Sequence, residues 1–206
     1  MLYKNDIANL ALGRLGVSLY VSDLETENSQ QAKIIRRHFR MALDTLLEMH
    51  DWNFATQYSS LVLYQEDPTP NYRFAYLAPA DALVIREIAR EGSFSYTQQY
   101  EDEKEKWHQV YSNTGILIYS NVIDAHAKYT TRIPDNIAMP THFGRALAAQ
   151  LSMDIAPSLI TNNFGKIRDT LNSDARIDIS RGIADDLGRQ PQPEESLSPF
   201  IRARYK

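Results

Sequence analysis

The chain's five histidines stand at His38, His50, His108, His126 and His142, with no pair at i, i+4 and no HExxH run. The sequence therefore encodes no local pair of imidazoles on one helical turn, the usual grip on a zinc ion. His50 adjoins Asp51, but consecutive side chains on a helix end point in different directions and do not form an acid/base pair. That pair reads as a helix terminus. Ser22 beside Asp23 has the character of a turn or cap rather than of an activated nucleophile, and the chain has neither a GxSxG motif nor a glycine-rich phosphate loop. Carboxylates are numerous enough for two to meet in space as a glycosidase pair, although nothing in their spacing favours it. The absence of cysteine excludes a disulfide scaffold, a thiolate zinc site, an iron-sulfur cluster and a thiol nucleophile. The expectation is a chain with no catalytic residue, no metal and no cofactor.

The elements that would carry any other function are readable from periodicity. From Ile7, apolar residues recur at Leu10, Ala11 and Leu15, one helical face, with Gly16 placed to close the helix in a left-handed cap. After a polar loop, Asn28 with Gln31 resembles a capping box. It opens a helix whose stripe is Ala32, Ile35, Phe39, Ala42, Leu43, Leu46 and Leu47. Arg36, Arg37, His38 and Arg40 interleave with that stripe, and acids follow at Asp44 and Glu48, so the run predicts a solvated helix face rather than a nucleic-acid helix.

From Leu61 the pattern shortens into β-prone runs broken by turn residues: LVLY at 61–64, YRFAYL at 72–77, FSYTQQY at 94–100, GILIYS at 115–120 and AHAKYTTRI at 125–133. Between them, residues 82–89 predict a short helix. EDEKEK at 101–106, followed by Trp107, mixes signs and predicts a solvated turn or helix face. Helical spacing returns with Phe143, Leu147, Leu151 and Ile155, where Pro140 suits a first turn and Pro157 should kink or end the helix. A last polar helix over about 163–187 carries Ile167, Leu171, Ala175 and Ile179. Beyond Gly188, the prolines and acids of 190–198 predict an extended arm ending in Leu197, Phe200, Ile201 and Tyr205 among basic residues.

The predicted fold class is α+β, mainly α: a helical bundle from 1–58 and 134–189, an inserted small antiparallel sheet region at 59–133, and an extended C-terminal arm at 190–206. A length of 206 residues suits one main domain with appendages. Apolar residues at 43% and charged residues at 23% are those of a globular chain. The first ten residues lack the pattern of a secretion signal, and no apolar run approaches the roughly 20 residues that span a bilayer, so no membrane partner is expected. A net charge of -4 gives no general attraction for nucleic acid. Arg202, Arg204 and Lys206 put +3 on the last five residues and leave -7 on the rest, which sets the terminus apart chemically.

Several segments, in order, resemble the tail tubular protein A family, the head-to-tail adaptors (connectors) of short-tailed and related bacteriophages. They are NLALGRLGV at 9–17; HDWNFA at 50–55, similar to the family's Trp-x-Phe-Ala signature; and YRFAYLAPADAL at 72–83, similar to its Tyr-x-Tyr-x-Leu-Pro-x-Asp-x-Leu pattern. AHAKYTTRI with PDNIAMPTHFGRALAAQLSMDIA at 134–156, and a long helix leading to FIRARY at 200–205, follow in the same order. The segment 100–114, which looks like an enlarged, charged hairpin region, and the proline-rich arm depart from the family pattern.

The resemblance implies a structural virion protein of the tail or neck, made in the host cytoplasm. It implies a homo-oligomeric ring, commonly of twelve subunits, that joins the portal to the tail and forms part of the DNA ejection channel. Genomic DNA would pass through without specific binding. The helical region would lie against the portal protein and the β-rich region against a tail nozzle or tail-tube protein. Leu197, Phe200, Ile201 and Tyr205 would fill portal crevices and Arg202 and Arg204 would pair with portal acids, while Trp52 and Phe54 would serve as a structural anchor. The residues alone leave two alternatives open: a virion-associated cell-wall hydrolase, which needs a cleft with converging carboxylates, and a nucleic-acid-binding regulatory protein, which needs a basic face.

Overall fold

The computed structural model describes residues 1–91, 94, 105–134, 136–160 and 164–189. The chain divides into two compact units. The first is Met1–Tyr58, Pro79–Arg86 and Tyr129–Gly188, and the second is built on Ser59–Ala78 and Glu87–Lys128.

Four helices are described: α1 (Lys4–Arg14), α2 (Gln30–Met49), α3 (Thr141–Leu159) and α4 (Phe164–Leu187). The seven described strands are β1 (Thr56–Ser60), β2 (Val62–Thr69), β3 (Tyr72–Leu77), β4 (Ala82–Ala89), β5 (Trp107–Ser112), β6 (Gly115–Ser120) and β7 (His126–Thr131). They form two antiparallel sheets, one ordered β1-β7-β4 and the other β2-β3-β6-β5.

This corrects the expected fold class. With 44% helix and 28% strand among the described residues, the protein is not a mainly helical bundle carrying a small sheet. Two segments account for much of the difference. The segment ALVIREIA contains good helix formers, but Val84, Ile85 and Ile88 are β-branched, and it forms β4 beside β7 rather than a helix. WHQVYS, directly after the charged run, forms β5 because β6 offers it a full ladder from Trp107↔Ser120 to Ser112↔Gly115. The expected strand at 94–100 lies outside the described residues except for Phe94, as does the arm at 190–206.

In the first unit the long stripe of α2 is the main wall of the core. Ala32, Ile35, Phe39, Ala42, Leu43, Leu46 and Leu47 are all fully buried, and each large member contributes about 1.5–3 kcal/mol of burial. Phe143, Leu147, Leu151 and Ile155 of α3 join the same core, with Ile7, Ala8, Ala11 and Leu12 of α1. Leu10, expected on the inner face of α1, is 42% exposed instead. Gly16, at φ +68°, ends α1 as expected. Gly16 N–H donates to Gly13 O (3.1 Å) and Val17 N–H to Leu12 O (3.1 Å), the paired bonds of a Schellman cap.

The N-cap of α2 is Ser29, not Asn28: its hydroxyl accepts from Ala32 N–H at 3.2 Å. The other end of α2 is capped from a strand. The Arg86 guanidinium of β4 donates to the carbonyls of Leu47 (2.8 Å), Glu48 (3.1 Å) and His50 (2.9 Å), and its Nε to Thr130 Oγ1 (2.9 Å). Those are carbonyls that a helix terminus leaves unpaired. Arg36 and Arg40, read from sequence as a solvated face, are also structural. Arg36 holds the carbonyls of Leu24, Glu25 and Glu27, and Arg40 donates to Ile133 O at 2.8 Å. Pro157 lies within the last turn of α3, which ends two residues later at Leu159.

The second unit is organised by the β2-β3-β6-β5 sheet, in which Ala75, Tyr76, Leu117 and Ile118 are buried. Tyr76 donates its hydroxyl to Val122 O at 2.7 Å. β2 is an edge strand with irregular register opposite β3, and Val62, Leu63 and Tyr64 remain exposed on it.

Candidate functional site

The sequence HDWNF, which closes α2, builds the most densely bonded polar cluster of the first unit. Trp52 is fully buried, and its indole N–H donates to Leu46 O at 2.8 Å, so the ring folds back under the helix that precedes it. Its faces and edges are occupied. His50 meets it edge-on at 5.0 Å between centroids, Phe143 edge-on at 4.8 Å, and His142 lies tilted at 6.1 Å. Phe54, half-buried, packs on Phe143 at 4.7 Å. Trp52 and Phe54, the two anchor residues of the sequence reading, thus both pack on one α3 phenyl ring.

Over this aromatic layer lies Asp186, from the last turn of α4 and 1% exposed. Its two carboxylate oxygens each meet a histidine: His50 Nε2 at 3.3 Å and His142 Nε2 at 3.3 Å. The backbone N–H of Asn53 donates to the same carboxylate at 3.1 Å, and the Asn53 side-chain amide donates to Asp186 O at 2.8 Å. A carboxylate only accepts, so each histidine in its neutral form presents its Nε2–H to Asp186. His142 Nδ1 is left buried without a hydrogen-bond partner. Burial alone would raise the Asp186 pKa. The bonds from His50, the Asn53 N–H and His142 outweigh burial and hold the carboxyl below the usual carboxylate range.

The close approach of α4 requires a glycine. A Cβ on Gly182 would lie 3.2 Å from Ala146 Cβ, 3.2 Å from His142 O and 3.6 Å from the Trp52 ring. One turn of α4 is therefore pressed against α3 and Trp52, and the next carries Asp186 into the cluster. Because every strong partner of the Asp186 carboxylate belongs to the protein and the group is closed to solvent, this arrangement ties three helix ends together. Among the described residues no group of three His, Asp or Glu side chains is arranged to hold a metal ion.

His50 and His142 are separated by 92 positions and Asp186 follows 44 further on, so neither spacing rules nor motifs unite them. One local signal was present. Asp185 and Asp186 stand at the C-terminal end of α4, where the helix dipole disfavours negative charge. A carboxylate in that position needs a partner from elsewhere. The remaining histidines, His38, His108 and His126, take no part in the cluster, and His126 Nδ1 instead lies 3.1 Å from Asp124 O.

Leu197, Phe200, Ile201, Arg202, Arg204 and Tyr205, the expected portal-binding residues, lie outside the described residues. Among the described residues no helix is long and apolar enough to cross a membrane. No protein-family model matches the chain, and no curated protein matches it either.

Proposed function

We propose that this chain is a structural ring subunit of a phage particle, a head-to-tail adaptor that joins the portal to the tail and has no catalytic role. The observation that carries the reading is the ordered run of segments at 9–17, 50–55, 72–83, 125–156 and 200–205 that resemble the adaptor family. Supporting it, three of those segments supply one core: Ala11 and Leu12 from the first, Trp52 and Ala55 from the second, and Phe143, Leu147, Leu151 and Ile155 from the fourth. Resembling residues that build a common interior are those a shared fold would keep. The enclosed Asp186 cluster also suits a load-bearing part more than a reactive one.

In this reading the arm docks on the portal through Leu197, Phe200, Ile201 and Tyr205, with Arg202 and Arg204 against portal acids. Each arm adds one valence to the ring, so individually weak arms suffice. The β-rich unit meets the next tail component, and the negative overall charge lets DNA pass without sticking. The test is the native mass of the purified chain with and without portal rings. Assembly into a multi-subunit ring on the portal is the expected result, and a chain that stays monomeric and unbound in its presence refutes the proposal.

A further inference from the structure

Within the first unit, Leu10 and Arg14 of α1, Arg145 and Ala148 of α3 and Asp178 of α4 line a depression of about 240 Å³. Arg14 pairs with Asp178, and Arg181 reaches the same carboxylate at 3.7 Å. Arg145 is exposed and makes no ion pair or hydrogen bond among the described residues. Arg14 and Arg181 share the one Asp178 carboxylate and Arg145 stands beside them unpaired, so these four groups sum to +2 on a chain whose overall charge is -4. The half-exposed Leu10 side chain adds an apolar rim.

The opposite chemistry lies in the loop after α1, which runs back along the helix and brings its acids toward the first turn. The loop at 19–27 exposes Leu19 (59%) and Tyr20 (72%) and then carries Asp23, Glu25 and Glu27. Only Glu25 is met by an ammonium group, that of Lys4 at 2.7 Å, while Arg36 directs its bonds to the loop carbonyls. Bonds from Thr26 and the Glu25 N–H lower the Asp23 pKa, and bonds from Ser29 and Ser22 lower that of Glu27, so both are ionised at neutral pH. The loop is fastened along α1: Asn9 in mid-helix accepts from Val21 N–H and donates to Val21 O (both 2.9 Å), and in the first turn, nearest the acids, Asn5 Oδ1 accepts from Leu24 N–H at 3.0 Å. Arg14 is at the last residue of the same helix, roughly 15 Å away. The acidic loop and the arginine depression of one chain therefore cannot satisfy each other.

We propose that they meet between copies: the loop at 19–27 of one subunit seats on the next subunit's Arg14–Arg145 depression, with Arg181 at its edge, a head-to-tail contact. This rests on the ring-subunit reading and names the surfaces through which the ring would close. Two different patches are what a heterologous interface requires, and such an interface gives a ring when its rotation closes. Charges at its edge set register and encounter rate.

The lack of native cysteine makes the contact testable by cross-linking. In the presence of portal rings, a chain carrying both Glu25→Cys and Arg145→Cys, treated with a short bis-maleimide, should give a ladder extending past the dimer on a denaturing gel. Each single variant can give at most a dimer. Charge reversal at Arg145 (Arg145→Glu) should weaken assembly on the order of tenfold, and adding Glu25→Arg should restore it. An assembled ring whose double-cysteine variant yields nothing beyond the dimer refutes this interface and leaves the ring reading standing. A chain that remains monomeric by native mass refutes both. Loss of duplex-DNA retention in Arg145→Glu with assembly unchanged would assign the depression to phosphate and overturn the contact.

Discussion

Replacing Asp186 by alanine removes the acceptor of three buried hydrogen bonds at once: those of His50, His142 and the Asn53 N–H. His142 is 7% exposed, so its Nε2–H cannot turn to water without opening the contact between α3 and α4. An orphaned buried donor costs about 1–3 kcal/mol, and part of that is recovered where His50, the more exposed of the two histidines, finds solvent. The expected loss is about 3–5 kcal/mol, comparable to breaking a buried charge-assisted network by removing one member. The assay is urea denaturation followed by Trp52 fluorescence in a Trp107→Phe background, so that the emission reports the first unit alone. The pH dependence has a fixed sign. The folded-state pKa of Asp186 is depressed, so its contribution is fully present above the unfolded value of about 4 and is lost as pH falls through the lower folded value. The stability gap between wild type and Asp186→Asn should therefore narrow as the pH falls below about 4. A loss under about 1 kcal/mol for Asp186→Ala, or a gap that widens as the pH falls below about 4, would refute the reasoning.

Other perturbations follow from the same packing. Arg86→Met strips the α2 terminus of three carbonyl partners and should destabilise the first unit by about 2–4 kcal/mol in the same assay, with Arg86→Lys recovering part of it. Gly182→Ala should cost about 1–3 kcal/mol, although alanine in an open helix position would gain about 1, because its methyl meets Ala146 and His142 O. A thermal melt showing stabilisation would mean that α4 shifts freely. Removing residues 197–206 should leave a folded chain, judged by an unchanged melt, that no longer binds portal in a pull-down; retained binding would move the docking site elsewhere.

What could be read from sequence depended on whether an element's partner was local. α2 was legible because its seven-residue stripe and its register are set by a single period. β6 was legible because GILIYS is β-prone on its own account. β4 was not, because eight residues of mixed propensity take their conformation from the neighbouring β7. Nor was β1, where TQYSS is polar and becomes a strand through its pairing. The N-cap of α2 slipped by one residue because Asn28 and Ser29 are both good caps and only the path of the incoming chain chooses between them. At the site, Trp52 stood out by its own chemistry. Asp186 owes its environment to residues 44 and 136 positions distant, and only its misfit with the helix dipole marked it.

The position of that carboxylate also bears on mechanics. The polypeptide beyond residue 189 continues directly from the end of α4, three positions after Asp186. Tension applied through that continuation reaches the clamped final turn before the rest of the helix. What it meets there are the bonds to His50, His142 and Asn53. Asp186 thus acts as a strain relief for α4, holding closed the turn from which the helix would otherwise begin to fray.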